Sequence, residues 1–535
     1  MDVVGGSPPP HVGGYGGLVP QASPPASSGG VSPPVPTRGD TPRDRAGGTP
    51  AVPVRDCTLA GRSGVAGGRP PPHVGGYEVC FSFPDVMAAD EPRFPAGLPN
   101  VFAFAIFNAL SFQIVLGGPM VLYAKSLGAS ATVLGIITGM MPLLVIFQIP
   151  AAKHVSRVGY KRFVFAGWGT RVAFIFAIAL IPLASGFLDG TTRLVLVMAV
   201  LFAFNLSRGI SSAAWLPWIT TLVPEALRGR YLTREAGFGN LGSFASFLLA
   251  ALYLGNEPHA WQFAALFGFS GVMGVASLYF LKRIPEPEMP EQQGQTSTEP
   301  VPWRAIGGYP PFRKLLRMNV AWSVANGGLG TFVVVFLKSV AGMSEGRVLL
   351  AISASFLGGL ASLALLGTRL DRVGSKPIIT ASLLAWFGIA VGWVLLAAHV
   401  WPTPFWLACA LQFLMGLVGS MVGLANTRLA MAIVPPMGRN HFFALFSVVG
   451  SLTLGVSPIV WGLLIDALAA VHHVRHGFEV NAYSLFFAGV AVTFLVTLWY
   501  CRRLDEPQAA SLDELLRDLL QQSPLRELMR FWPRG

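Results

Sequence analysis

Long apolar segments alternate with short polar loops from Pro99 onward. Each segment has about 20 residues, which at about 1.5 Å per residue in a helix matches a hydrocarbon core about 30 Å thick. A helix satisfies its own backbone hydrogen bonds in lipid, so each segment is predicted to be helical. The pattern therefore predicts an all-α polytopic membrane protein. The twelve predicted spans are 99–122, 132–152, 163–185, 194–218, 236–255, 261–281, 317–338, 347–367, 378–399, 404–426, 443–466 and 483–501.

Basic residues are concentrated in alternate loops. Counted with the residues at the span ends, the loops after spans 2, 4, 6, 8 and 10 hold 18 Lys and Arg, whereas the other loops hold 5. Loops rich in Lys and Arg stay in the cytoplasm. This asymmetry predicts that both termini are cytoplasmic, in a bacterial inner (plasma) membrane.

The composition agrees with a membrane protein, since 53% of residues are hydrophobic and 12% are charged, against about 25% charged in soluble domains. The formal net charge of +12 lies in loops between apolar runs, which favours contact with an anionic membrane face over nucleic acid. The four cysteines form no CxxC pair, and no catalytic triad, phosphate loop or nucleotide fingerprint occurs. The sequence thus predicts neither an enzyme nor a cofactor nor a metal site.

The two ends of the chain differ from its centre. Residues 1–95 are dense in Gly and Pro and are predicted to be disordered. Met87 begins an ordinary short leader and is an alternative start of the protein. Residues 503–535 carry leucines at helical spacing and predict an amphipathic cytoplasmic helix on the membrane surface, with a partner-binding helix as the alternative.

The chain also repeats itself. Three pairs of similar loop residues stand at nearly one offset: Lys125 and Lys338 at 213, Gly159 and Gly374 at 215, and Pro224 and Pro435 at 211. Spans 1–6 and 7–12 are therefore predicted to be two copies of one unit.

The loop after span 8 carries the pattern Gly-x-x-x-Asp-Arg-x-Gly-x-Lys, and on it the chain resembles the major facilitator superfamily of transporters. The matching residues are Gly367, Asp371, Arg372, Gly374 and Lys376. The related loop of the first half keeps Arg157, Gly159 and Lys161 but has Ala152 and Ser156 in place of the first Gly and the Asp. The resemblance implies two pseudo-symmetric six-helix bundles, residues 97–283 and 317–502, with a cytoplasmic linker at 284–316.

The resemblance also implies a gate. The family's loop aspartate docks on a helix of the opposite half, so Asp371 is expected to meet the start of span 5, near Arg230 and Arg234. This contact would close the cytoplasmic side in the outward-open state; a solvated loop is the alternative. Ser156 carries no charge, so the gate is predicted to be asymmetric. Asp371→Asn is expected to slow transport and favour inward-open protein, as measured by flux and by accessibility labelling.

Substrate would bind in a central cavity that the resemblance places between spans 1, 4, 7 and 10. Polar groups deep in a membrane are costly and mark functional sites, although helix packing is the alternative for each. The candidates are Asn108, Gln113, Asn205, Arg208, Trp322, Asn326, Gln412 and Asn426. Gly416, Gly419 and Gly423 are predicted to allow close helix approach. Arg171 lies on a span that the resemblance makes peripheral, and it is predicted to reach the interface or to pair structurally.

Spans 1, 4, 7, 8 and 10 contain no Asp or Glu at mid-span, which disfavours a proton-coupled exporter of cations. The sequence thus favours a monomeric secondary or facilitative transporter of a small neutral, sugar-like or anionic solute, working by rocking of the two bundles. A membrane solute sensor or scaffold and an efflux protein of the same family are the alternatives. His472, His473 and His476 have a spacing that could bind metal, but a plain polar loop is favoured.

Overall fold

The computed structural model describes residues 94–224, 227–286, 303–366, 374–434, 439–475 and 477–504. The predictions for residues 1–93, including Met87, for most of the linker and for the tail after 504 lie outside the described residues. So do those for Gly367, Asp371, Arg372 and His476.

The described chain consists of helices and one small hairpin. In chain order the elements are α1 (Pro99–Leu116), α2 (Gly118–Ser126), α3 (Ala131–Leu144), α4 (Gln148–Val158), α5 (Tyr160–Leu180), α6 (Gly190–Leu222), α7 (Arg228–Leu254), α8 (Ala260–Arg283), α9 (Trp303–Gly308), α10 (Pro310–Asn326), α11 (Leu329–Ser339), α12 (Glu345–Leu366), α13 (Ser375–Ala397), α14 (Phe405–Ile433), α15 (Arg439–Ala467), β1 (His472–Arg475), β2 (Phe478–Asn481) and α16 (Ala482–Arg502). Short 3₁₀ turns lie at Val145–Phe147 and Pro182–Gly186.

Within the described ranges, twelve helical stretches are long and apolar enough to cross a membrane, which confirms the predicted number. Their exposed surface is apolar, with Phe187, Leu252 and Trp261 each more than half exposed, as expected for side chains that face lipid. The seventh stretch begins at Pro310, seven residues before the predicted start. The predicted span began after the charged residues Arg313 and Lys314, but both belong to the first turns of the helix. The linker also contains the short helix α9.

The first and seventh spans are each broken at equivalent points. The break between α1 and α2 lies at Gly117, and that between α10 and α11 lies at Gly327 and Gly328. Gly328 has φ +82°, a left-handed conformation that glycine adopts without steric cost. Gly117 and Gly328 are 211 residues apart, so the structure repeats the offset of the sequence.

Packing within the halves repeats in the same way. The first span (α1) packs against α7 and α8, and its counterpart α10 packs against α15 and α16. The third span (α5) packs against α6 and α8, just as the ninth (α13) packs against α14 and α16. The protein is therefore two pseudo-symmetric six-helix bundles, as predicted.

One glycine approach inside the second half is especially close. A Cβ added at Gly416 of α14 would lie 1.7 Å from the Ser355 carbonyl oxygen of α12. This confirms the predicted close approach there. The methyl group would force the two helices apart, at a cost of about 1–3 kcal/mol.

Gly416→Ala is accordingly expected to lower the melting temperature of the detergent-solubilised protein by several degrees, as measured by thermal unfolding. Gly388→Ala in α13 is the matched control, because an added Cβ at Gly388 meets nothing within 4 Å. If Gly416→Ala melted at the same temperature as the wild type, the close packing of α12 on α14 would be contradicted.

The histidine-rich loop forms an antiparallel hairpin of β1 and β2 instead of a plain loop. Glu479 of β2 contacts His399 (2.6 Å) and His472 (3.1 Å). Burial acts to raise the pKa of Glu479, but the hydrogen bond from Asn481 and the two histidines lower it below its usual value. Among the described residues, no group of three or more His, Cys, Asp or Glu side chains could hold a metal ion.

Candidate functional site

The two halves contact each other mainly along two helix pairs, α3 with α15 and α7 with α12. Many of these contacts lie at one end of the molecule, which we call the sealed end. It comprises residues 118–143 and 247–255 of the first half and residues 329–356 and 455–467 of the second. There the Gly346 amide donates to the Gly255 carbonyl at 2.8 Å, and the rings of Phe247 and Phe356 lie 5.2 Å apart.

Two glycine crossings bring the halves together in the sealed end. A Cβ added at Gly135 would lie 2.2 Å from the Pro458 carbonyl oxygen, and one at Gly139 would lie 2.3 Å from that of Gly455. Small residues allow helix backbones to approach closely where lipid provides no hydrophobic driving force. The close fit therefore depends on the absence of side chains.

An aspartate of the second half caps a helix of the first. Asp466 accepts hydrogen bonds from the backbone amides of Ala131 (3.0 Å) and Thr132 (2.8 Å) and from the Thr132 hydroxyl (2.6 Å). These amides begin α3, whose N-terminal dipole favours an anion. Asp466 thus stabilises the closure of the sealed end.

The buried core differs between the two ends. Of the two clusters of buried described residues, the larger contains sealed-end residues of both halves, such as Leu134 and Ile465. The smaller contains first-half residues alone, among them Val155, Trp218 and Leu281. Among the described residues, the halves therefore share a core at the sealed end, and the first half has a separate core at the other end.

Three predicted site residues gather in the middle of the first half. Asn108 of α1 accepts a hydrogen bond from Trp168 Nε1 of α5 at 3.3 Å. Asn205 of α6 is buried and donates to the Leu201 carbonyl at 2.9 Å. Arg208 lies one turn further along α6, and its charge acts on Arg171 of α5.

Arg171 does not reach a membrane surface. Its side chain is 4% exposed and stacks between the rings of Trp168 (4.6 Å to the centroid) and Phe204 (5.1 Å). A cation–π contact provides about 2 kcal/mol when desolvated, whereas burying an unpaired ion costs several. The two rings therefore offset only part of the cost of burying this charge.

The other predicted cavity residues lie apart from this cluster. Gln113 donates to Ser243 Oγ within the first half at 3.0 Å. Asn426 donates to Asn319 Oδ1 at 2.7 Å. Trp322 packs against Trp386 and Phe494 inside the second half. Gln412 is buried in α14, and Asn326 ends α10 at the helix break. Their roles in binding stay predictions.

The gating residues are described in part. Gly159 and Gly374 both have positive φ, at +89° and +91°, as tight turns at equivalent loop positions require. Lys376 donates to the Leu504 carbonyl at 2.6 Å. The guanidinium groups of Arg230 and Arg234 lie over Phe94. Arg157 is exposed and Lys161 is half-buried on either side of Gly159.

Two acidic residues, Glu235 and Asp466, were not among the predicted site residues. Helix α7 begins at Arg228, eight residues before the predicted span, so Glu235 lies about two turns inside it. Asp466 falls on the predicted end of its span, where a charge is unremarkable. Its partner Thr132 is 334 residues away in sequence, and no local signal connects the two.

A duplicated six-helix bundle with broken first and seventh spans and a central polar cluster defines a class of protein, the membrane transporters built from two related halves. The family model of the Major Facilitator Superfamily matches residues 101–398 and 349–533. The chain therefore belongs to the Major Facilitator Superfamily.

Relatives and solved structures agree with this family. The chain is 26% identical over 197 residues to the uncharacterized MFS-type transporter YhhS of Salmonella paratyphi C. This match covers 36% of the chain and 44% of the relative, so the chain spans less than half the length of the curated relatives it matches.

Three transporter structures share the fold at low identity. The D-xylose-proton symporter has a TM-score of 0.60 at 13% identity, covering 76% of this chain and 97% of that one. The nucleoside transporter NupG has a TM-score of 0.54 at 12% identity, covering 77% and 99%. The peptide transporter POT has a TM-score of 0.54 at 14% identity, covering 77% and 95%.

Proposed function

We propose that the protein moves a small organic solute, sugar-like or anionic, across the membrane by rocking of its two halves about a site near the membrane centre. The observation that carries this proposal is the asymmetry of the interface. Buried residues of both halves share a core at the sealed end, whereas among the described residues first-half side chains form a core of their own at the opposite end. We infer that this asymmetry corresponds to one state of an alternating-access cycle, with the sealed end closed and the other end parted.

The basic loops assign a side to each end. Arg157, Lys161 and Arg162 lie at the end opposite the sealed one, which the positive-inside rule places in the cytoplasm. On this assignment we infer an inward-open state, and we propose that the protein works as a monomer in the bacterial inner membrane.

Counterflow tests the proposal directly. The purified protein is reconstituted into liposomes loaded with an unlabelled solute, and uptake of trace labelled solute is measured for a panel of sugars and organic acids. We expect transient accumulation for at least one solute, with none in empty liposomes. A solute that binds the protein without exchanging would instead favour the alternative of a membrane sensor or scaffold.

The alternative of efflux differs from import in the direction of net solute movement across the membrane. Counterflow detects exchange in either direction, so uptake into cells that express the protein, against cells that lack it, separates import from export. Lower accumulation in expressing cells would assign efflux.

A further inference from the structure

We propose that Arg171 and Arg208 form an anion subsite that binds a carboxylate or phosphate group of the transported solute. The assignment rests on the proposed function, because it names the chemical class of the solute. It extends the site from α6 to α5, which is the third span and which the family resemblance makes peripheral.

Arg171 is a buried cation, and the residues that the structure describes provide no matching anion. Its Nε is buried and donates to no described group, and no described carboxylate forms an ion pair with it. The charged group that acts on it is a second cation, Arg208. Two neighbouring cations repel each other in a medium of low dielectric constant. A bound anion would relieve both the repulsion and the missing hydrogen bond.

The surrounding polar groups do not provide the acceptor. The Asn108 side-chain oxygen already accepts from Trp168 Nε1, which fixes the indole ring against the guanidinium. The Asn205 amide donates to the Leu201 carbonyl, while its Oδ1 is buried without a described donor. Among the described residues, Arg171 thus retains an unused donor, and Asn205, one turn before Arg208, retains an unused acceptor. A solute that bears a hydroxyl as well as an anionic group could use both.

The pair also lies at the depth that a transport site needs. Arg171 stands eleven residues after Tyr160, about 16 Å along the helix, and Arg208 stands fourteen before Leu222, about 21 Å. Both are therefore near the middle of a membrane about 30 Å thick. Exposed apolar side chains of α6, such as Phe202, lie on a different face from Arg208.

A purely structural arginine is the competing explanation. Such an arginine commonly satisfies its nitrogens with backbone carbonyls or a carboxylate, and among the described residues Arg171 does neither. An apolar side chain between Trp168 and Phe204 would fill the same space without the cost of a buried charge. The retained charge indicates a ligand.

The test measures binding and exchange separately. Melting temperatures of the wild type, Arg171→Gln, Arg171→Lys and Arg208→Gln are measured with malate, glycerol 3-phosphate, inorganic phosphate and the neutral probes glycerol and glucose, at matched ionic strength. Counterflow is then measured for the same solutes. Arg162→Gln is the matched control, since Arg162 is exposed on the same helix as Arg171.

We expect at least one anion to raise the melting temperature of the wild type and of Arg162→Gln and to exchange in counterflow. Arg171→Gln and Arg208→Gln should weaken its binding about 10- to 100-fold. Arg171→Lys keeps the charge but lacks the planar guanidinium with its paired donors, so its affinity for the anion should be intermediate. Malate against phosphate distinguishes a carboxylate from a phosphate ligand. Should Arg171→Gln fail to fold, Arg171→Lys and Arg208→Gln decide the matter.

The outcomes separate the two proposals. Exchange of neutral probes alone, with no anion effect, would overturn the anion subsite and leave transport standing. Anion stabilisation that depends on Arg171 without exchange would support the subsite and contradict transport. Anion effects equal in the wild type and in the Arg171 and Arg208 variants would also overturn the subsite. If no probe raised the melting temperature and none exchanged in counterflow, both proposals would be contradicted.

Discussion

Gly139→Val is expected to reduce solute counterflow about 100-fold while the protein stays folded. The new Cβ would lie 2.3 Å from the Gly455 carbonyl oxygen, and the two extra methyl groups add to the overlap. Overpacking costs about 1–3 kcal/mol, and each 1.4 kcal/mol changes an equilibrium about tenfold. Because Gly139 and Gly455 belong to different halves, the cost falls on the closed sealed end and not on either bundle.

The comparison with Gly169→Val isolates this effect. Gly169 lies in the same half, on α5, and an added Cβ there meets nothing within 4 Å. Counterflow is measured for both variants, together with the labelling rate of a cysteine placed at Ala251, which is buried in the sealed end beside Gly346 of the other half. Gly139→Val should label faster than Gly169→Val. Normal counterflow and normal labelling in Gly139→Val would contradict the assigned interface.

Asp466→Ala is expected to shift the same equilibrium about tenfold toward an open sealed end and to slow counterflow correspondingly. The substitution removes three hydrogen bonds that cross between the halves. Loss of an aspartate cap costs about 1–2 kcal/mol, and the exposure of Asp466 places the effect in the lower part of this range. Labelling of the Ala251 cysteine and counterflow are the measurements.

Asp189 provides an unusually close control. It accepts from the backbone amides of Thr191 and Thr192 and from the Thr192 hydroxyl, so it repeats the Asp466 contacts within one half. The hydrogen bonds from Thr192 hold the pKa of Asp189 below its usual value. Asp189→Ala should leave the labelling rate of the Ala251 cysteine unchanged. If Asp189→Ala and Asp466→Ala changed the labelling rate equally, Asp466 would act only as a cap of α3 and not on the contact between the halves.

The spans and the internal repeat could be predicted because they depend on local composition. Runs of about 20 apolar residues have one stable form in lipid, and similar loops at one offset reveal a duplication. The breaks at Gly117 and Gly328 were missed because each apolar run has the length of one spanning helix, although a Gly-Gly pair stands at each break. The early start of α7 was missed for the opposite reason, since polar residues such as Glu235 continue a helix beyond its apolar part.

The candidate site was predictable only in part. Asn205 and Arg208 stood out as polar groups within an apolar run, and the charge of Arg208 acts on Arg171 in the structure. Arg171 was assigned to the periphery because its whole span was, although Trp168 and Arg171 lie on a buried stripe of that helix. Asn319, Trp322 and Asn326 share a stripe in sequence, yet Asn319 bonds Asn426 and Trp322 packs on Trp386. Which neighbour meets each side chain depends on tertiary packing, which helical periodicity does not contain.

The most direct test of the alternating halves is a pair of distances measured by double electron–electron resonance in a background without native cysteines. One spin-label pair, at Ser126 and Ala469, spans the two halves at the sealed end; the other, at His154 and Arg313, spans them at the opposite end. On addition of a solute that exchanges in counterflow, we expect the populations to shift in opposite directions, with the first distance lengthening as the second shortens. Distances that both stay fixed, or that lengthen together, while the protein transports solute would contradict this expectation.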